Sequence, residues 1–205
     1  MHISWLGQTC VKLQTKFKDE DVVVVVDAYR PASGDFPRSL SPSTALFSNG
    51  QTDAITLSQD PFVIDTLGEF ESQEVLMQSF PGGRNNLIFK IAAEGINIVH
   101  LGRLNTKMDI ADLEKLGSID ILLIPVGGGK DYLSPSDAAE LTTALEPRIV
   151  IPIAYACDSD KSARPVSEFI KELGVKPTAT DKKFIIKKKD LPAEEMQLYV
   201  LEKNI

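Results

Sequence analysis

Four places in this 205-residue chain bring together residue types that could carry chemistry. Ser58-Gln59-Asp60 follows the apolar run from Ala54 to Leu57 and stops at Pro61, so a strand exit there would present an amide and a carboxylate to a cleft. His100 ends the run from Ile96 to Val99 and is followed by Arg103, which sets a group that titrates near neutrality beside a permanent cation. Cys157-Asp158 follows a third apolar run, from Arg148 to Ile153, and a Cys157 thiol with His100 as its base has the residue types of a nucleophilic pair. Gly127-Gly128-Gly129-Lys130 follows a fourth run, from Ile119 to Pro125.

Each has a plainer reading. A lone histidine at a strand end more often hydrogen-bonds within the structure than acts as a base, and no nucleophile motif surrounds Cys157. The glycine run lacks both the leading glycine and the Ser or Thr of a phosphate loop, so it reads as a tight strand-to-helix passage. The basic stretch from Lys182 to Lys189, with Phe184-Ile185-Ile186 at its centre, reads as a charged edge strand that discourages strand addition.

These groups must be held by strands and helices that the sequence also signals. Val11 to Thr15 alternates in polarity, Lys18 to Asp21 forms a polar turn, and Val22 to Val26 is a β-branched run to be buried on both faces. The same hairpin pattern returns at Leu87 to Ile91 and Ile96 to Val99, which suggests one domain over 1–205 with two related halves, about 1–85 and 86–205. Helices are expected at Thr106 to Leu116, from Pro135 to about Leu145 behind the cap Ser134, and at Val166 to Leu173 before Gly174. A last strand is expected at Gln197 to Leu201, and residues 28–52, rich in Pro and Ser, read as a long loop. The expected class is α/β, layered.

Composition excludes several functions. A net charge of -7 argues against sequence-independent nucleic-acid binding, which needs surplus Lys and Arg to displace phosphate counterions. No apolar run approaches the roughly 18 residues that span a bilayer, and the start MHISWLGQTC lacks a signal-peptide pattern, so a cytoplasmic protein without membrane contact is expected. Two cysteines 147 positions apart point to free thiols, and two histidines are too few for a polyhistidine metal centre.

Several segments, in order, resemble the metallo-β-lactamase fold, in its branch of lactonase-like, zinc-dependent hydrolases. Trp5-Leu6-Gly7-Gln8-Thr9-Cys10 resembles that branch's WLGHSC, Val26-Asp27 with Tyr29 its IDPF, and Leu67 to Glu71 its PGEYE. His100 to Leu104 resembles HLGDL, Ile119 to Gly128 resembles DILLIPVGG, and Ile151 to Tyr155 resembles IPMHY. The resemblance covers nearly the whole chain. It implies an αββα sandwich of two mixed β-sheets flanked by helices, a site along one sheet edge, and two zinc ions held by a His-x-His-x-Asp-His loop.

The departures from the family pattern carry the functional expectation. Read after the run from Ala54 to Leu57, the metal loop begins with Gln59-Asp60 and is otherwise deleted. Gln8, Arg103 and Ala154 stand where the family has a histidine, a bridging aspartate and a histidine, and a guanidinium cannot ligate zinc at any accessible pH. No metal and no cofactor are therefore expected, zinc included. The expectation is a catalytically silent protein with a binding, assembly or regulatory role, acting as a homo-oligomer or with a protein partner. Gln8, Asp27, Gln59, Asp60, Arg103 and Ala154 would form the vestigial or ligand-binding site. Arg103 would replace the metal by pairing with Asp27 or Asp60, or would bind an anionic small molecule with Lys130 or Arg30. The alternatives are a hydrolase of a small phosphorylated or lactone-type substrate on a reused site, and a sparse metal site of Asp60, His100 and Asp158.

Overall fold

The valine run is the clearest link from sequence to architecture. In the computed structural model, which describes residues 1–83 and 85–204, it forms a strand buried on both faces. Val22, Val24 and Val26 enter the main core, whereas Val25 and the half-buried Val23 join a second cluster with Leu6, Cys10, Tyr29, Ala45 and Phe47. A period of two thus splits one apolar run between two cores.

The strands are β1 (His2–Gly7), β2 (Cys10–Phe17), β3 (Glu20–Val26), β4 (Thr44–Leu46), β5 (Phe62–Ile64), β6 (Gly68–Ser72), β7 (Val75–Pro81), β8 (Leu87–Ala93), β9 (Ile96–His100), β10 (Ile121–Pro125), β11 (Ile149–Ile153), β12 (Pro177–Asp181), β13 (Phe184–Ile185) and β14 (Gln197–Leu201). Among the described residues they build two mixed sheets, in the orders β13-β1-β2-β3-β4-β5 and β12-β14-β11-β10-β9-β8-β7-β6. The sheets pack over Ile3, Trp5, Leu13 and Val24 from the first and Met77, Ile91 and Ile98 from the second. β10 and β11, parallel neighbours, are buried at every residue, as parallel strands covered on both faces require.

The helices are α1 (Ile110–Glu114), α2 (Pro135–Leu145) and α3 (Val166–Leu173). α2 opens as its sequence indicates: the Asp137 amide donates to Ser134 Oγ at 3.1 Å, with Pro135 at the first helical position. It packs on β10 and α3, burying Ala138, Ala139 and Leu141, while α3 buries Phe169 and ends at Gly174, φ 70°. The two-sheet sandwich is as expected, with few helices. The outer face of the first sheet is covered by loop side chains, Phe36, Leu40, Ile55 and Leu57 among them.

Two expected elements change. Ala54 to Leu57 is no strand: Ile55 and Leu57 are half-buried loop side chains on the second cluster. The strand lies ten residues earlier, at β4, parallel to β3 and wholly buried inside the stretch read as a loop. Three residues among Ser and Pro are too few to show a period. The helix expected over Thr106 to Leu116 shortens to α1, because Asp109 is extended at φ -70°, ψ 146° and caps its start.

Candidate functional site

The exits of β1, β3, β4 and β9 converge on a cleft of about 300 Å³. Gln8 and Thr9 follow β1, Asp27, Ala28 and Tyr29 follow β3, and Phe47, Asn49, Gly50 and Thr52 to Ala54 follow β4; Arg103 follows β9. Gln8, Asp27 and Ala154 adopt left-handed backbone at φ 46°, 52° and 58°, which is unusual for residues with a Cβ. Main-chain bonds hold them there: Ala154 N donates to Gln8 O at 2.9 Å, and Asp27 N to Leu46 O at 2.8 Å. Trp5 Nε1 also donates to Gln8 O at 2.6 Å.

Asp27 has both carboxylate oxygens engaged. Oδ1 accepts from the Ser48 amide at 2.6 Å and Oδ2 from Ser48 Oγ at 2.7 Å, so Asp27 ties the β3 exit to the β4 exit. His100 is fully buried; its Nδ1 accepts from Gly102 N at 3.0 Å, which leaves Nε2 as the donor to Thr9 O at 2.9 Å. Burial holds its pKa below the ordinary histidine value, against the raising influence of the Asp27 charge and its main-chain bonds. A neutral imidazole with both nitrogens on main chain has no free position for a metal or a substrate proton.

Arg103 pairs with neither of its expected partners. Its guanidinium lies 3.6 Å from Asp131 Oδ1 and 6.0 Å from the Tyr132 ring, and its amide donates to Asn86 Oδ1 at 2.7 Å. Asp27 is satisfied by Ser48, and Asp60 lies outside the cleft. Gln59 and Asp60 form an exposed left-handed turn, φ 71° and 48°, leading into β5; they do not line the cleft. Ala154 is fully buried and bonded to Gln8, and it does not line the cleft. Arg30 and Lys130 are exposed and do not line it either.

The remaining candidates are held in structural contacts. Cys157 Sγ lies 3.3 Å from Ser159 Oγ, which in turn meets Tyr29 OH at 2.7 Å, so Cys157 and His100 do not form a hydrogen-bonded pair. Asp158 accepts from Lys203 Nζ at 2.6 Å and from Asp35 N at 2.8 Å, pinning the loop after β3, and the Lys203 bond holds its carboxyl below the usual range. Asp60, His100 and Asp158 therefore do not assemble. Among the described residues, no group of three or more His, Cys, Asp and Glu could hold a metal ion. Gly127 has a packing reason: a Cβ there would lie 2.1 Å from Ala154 O.

A family model described as a beta-lactamase superfamily domain matches residues 2–154. The chain belongs to that family. A UPF0173 protein of Pyrococcus furiosus is 37% identical over 76 residues; the match covers 37% of this chain and only a third, 33%, of that protein's length. Among solved structures, a candidate Zn-dependent hydrolase of the metallo-β-lactamase superfamily from Thermotoga maritima aligns over 98% of both chains, with a TM-score of 0.80 and 25% identity. A metallo hydrolase from Ignicoccus hospitalis aligns over 84% of this chain and 90% of its own, with a TM-score of 0.63 and 13% identity, a likeness of fold alone.

β4 ends at Leu46, and the stretch after it carries polar residues at the spacing of the metal loop that the resemblance implies. Asn49-x-Gln51-x-Asp53-Ala54 has the spacing of His-x-His-x-Asp-His, and Asn49, Asp53 and Ala54 line the cleft. Those four positions carry two carboxamides, one carboxylate and a methyl group, so a stretch of that spacing follows β4 where the expectation had a deletion after Gln59-Asp60. The spacing of polar residues in Ser48 to Ala54 was the available signal, obscured by the misplaced strand. The donors present do not fit a dinuclear zinc centre: carboxamide side chains bind zinc poorly, Asp27 is committed to Ser48, and Arg103 brings a cation to the wall.

Proposed function

We propose that this metallo-β-lactamase-fold protein does not carry out dinuclear zinc hydrolysis and that its cleft binds a small anionic molecule at Arg103. The observation that supports this most is the make-up of the cleft wall, where a guanidinium stands among carboxamides, hydroxyls and the two carboxylates of Asp27 and Asp53, with no imidazole of the kind a dinuclear zinc centre needs. Arg103 is about one-third exposed and its contact to Asp131, at 3.6 Å, is too long for a strong hydrogen bond, so its N–H donors remain available to a carboxylate or phosphate. Gln8, Asn49, Thr9 and Thr52 supply neutral polar groups around it. The exposed carboxylate of Asp53 at the same cleft favours a ligand that also carries a donor, such as a hydroxy or amino acid.

A hydrolase acting on a phosphorylated or lactone-type substrate is the second reading, supported by the near full-length similarity to the Thermotoga maritima protein. Two measurements separate the readings. Protein equilibrated with zinc and then dialysed should retain far less than one equivalent by elemental analysis, and inorganic phosphate or a small hydroxy acid should raise the wild-type melting temperature but not that of Arg103→Gln. Stoichiometric zinc that survives dialysis, together with zinc-dependent ester or phosphoester hydrolysis, would overturn the proposal in favour of the second reading.

A further inference from the structure

The sandwich has two open ends, and they carry opposite charge. At one end the edge strands β5 and β6 are joined by Asp65-Thr66-Leu67, so the chain steps from one sheet to the other there. At the opposite end of both sheets, the edge strands β12 and β13 are joined in the same way by Lys182-Lys183.

The first end is acidic with an apolar centre. Phe62, Val63 and Leu67 are 47%, 39% and 58% exposed, and Phe62 stacks edge-on against Phe70 of β6 with ring centres 6.0 Å apart, which bridges the two edges. Asp60, Asp65, Glu69, Glu71 and Glu74 surround them, all exposed, and no Lys or Arg occurs between residues 60 and 74. The second end is basic around Ile185, which is 61% exposed. Lys176, Lys182, Lys183, Lys187 and Lys189 flank it along the chain and outnumber the exposed Asp181 and Asp190 of the same stretch. Among the described residues, neither these lysines nor those five carboxylates form an intramolecular ion pair.

We infer that the acidic β5/β6 end of one copy docks on the basic β12/β13 end of a second copy, giving head-to-tail association of this chain. Like-with-like docking would set carboxylates against carboxylates or lysines against lysines, which electrostatics opposes; only the heterologous pairing is complementary. Each copy has one end of each kind on opposite sides, so the contact can propagate into a ring or a filament. The lysines that repel an identical edge are then what selects the unlike one. The inference uses no cleft residue and stands or falls separately from the anion site.

The test is sedimentation of the full chain at about 100 μM, in low and high salt, with charge-reversed variants. Wild type should associate at about 0.05 M ionic strength, and its dissociation constant should rise at least about tenfold at about 0.5 M. Glu69→Lys/Glu71→Lys and Lys182→Glu/Lys183→Glu should each be monomeric alone, with unchanged circular dichroism, and should associate when mixed, because each keeps the end the other has lost. A monomeric wild type at low salt would overturn the inference. So would association that survives either reversal, or two variants that stay monomeric on mixing.

Discussion

Replacing Asp27 by Ala probes the tie between the β3 and β4 exits that shapes the cleft. Two hydrogen bonds of 2.6 and 2.7 Å are lost, and the amide of Ser48, a residue only 2% exposed, loses its acceptor. Hydrogen bonds to a charged group contribute about 1.5–3 kcal/mol each, but water can reach the half-buried Asp27, which favours the low end. Alanine also tolerates the left-handed φ of 52° less well than Asp, adding about 1 kcal/mol. The expected loss is about 4 kcal/mol, a fall in melting temperature of roughly 8–16 °C for a chain of this size. Asp27→Gly relieves the backbone part and should recover about 1 kcal/mol of that loss. Asp27→Asn keeps an acceptor for the amide and a donor for Ser48 Oγ, and should cost only about 1 kcal/mol. The assay is urea unfolding followed by the fluorescence of Trp5, the only tryptophan, which is buried in the main core. If Asp27→Ala stayed within about 0.5 kcal/mol of wild type, the carboxylate would not be holding Ser48 and would be free for another role.

Stability should fall as pH drops below about 6.5, because unfolding releases His100 from the burial that depresses its pKa and so lets the unfolded chain take up a proton first. His2, whose pKa is also lowered, acts in the same direction, so His100→Asn should reduce the acid slope in pH-dependent unfolding without abolishing it. Glu146→Gly should raise the melting temperature by roughly 1–4 °C, since this exposed residue caps α2 in the left-handed conformation at φ 46°. Gly127→Ala should lower stability by about 3 kcal/mol or more, read by the same urea titration, because the clash at 2.1 Å is with main chain that cannot swing aside.

Much of this architecture could be read from local pattern, and the parts that could not have a common physical cause. The Val22 to Val26 run, the Ser134-Pro135 start of α2 and the Gly174 stop of α3 are signals written in adjacent residues, and the structure keeps all three. β4 is a strand only because β3 and β5 flank it in parallel, a tertiary circumstance with no local mark on Thr44, Ala45 and Leu46. The misplacement of that strand moved the expected loop from Asn49–Ala54 to Gln59-Asp60. Asp27 and Arg103 could be found at the cleft because each closely follows a strand that was legible, whereas Gln8 was marked only by the family resemblance of Trp5 to Cys10. The partner of Arg103 was not legible, since Asp131 reaches it across a loop 28 positions further on.

The loops that cover the outer face of the first sheet give that side of the molecule a different response to thermal fluctuation. The small cluster beneath them is built from strand and loop side chains, and among the described residues none of its members lies on a helix, so local opening there need not disturb the main core. Cys10 lies fully buried inside this cluster, and burial, with the nearby Asp27 charge, keeps its thiol well above the usual cysteine range. It is inert until the cover lifts. The labelling rate of this one sulfur is therefore a clock for the opening of the cleft wall, readable in unmodified protein against Cys157, whose partial exposure supplies the internal standard.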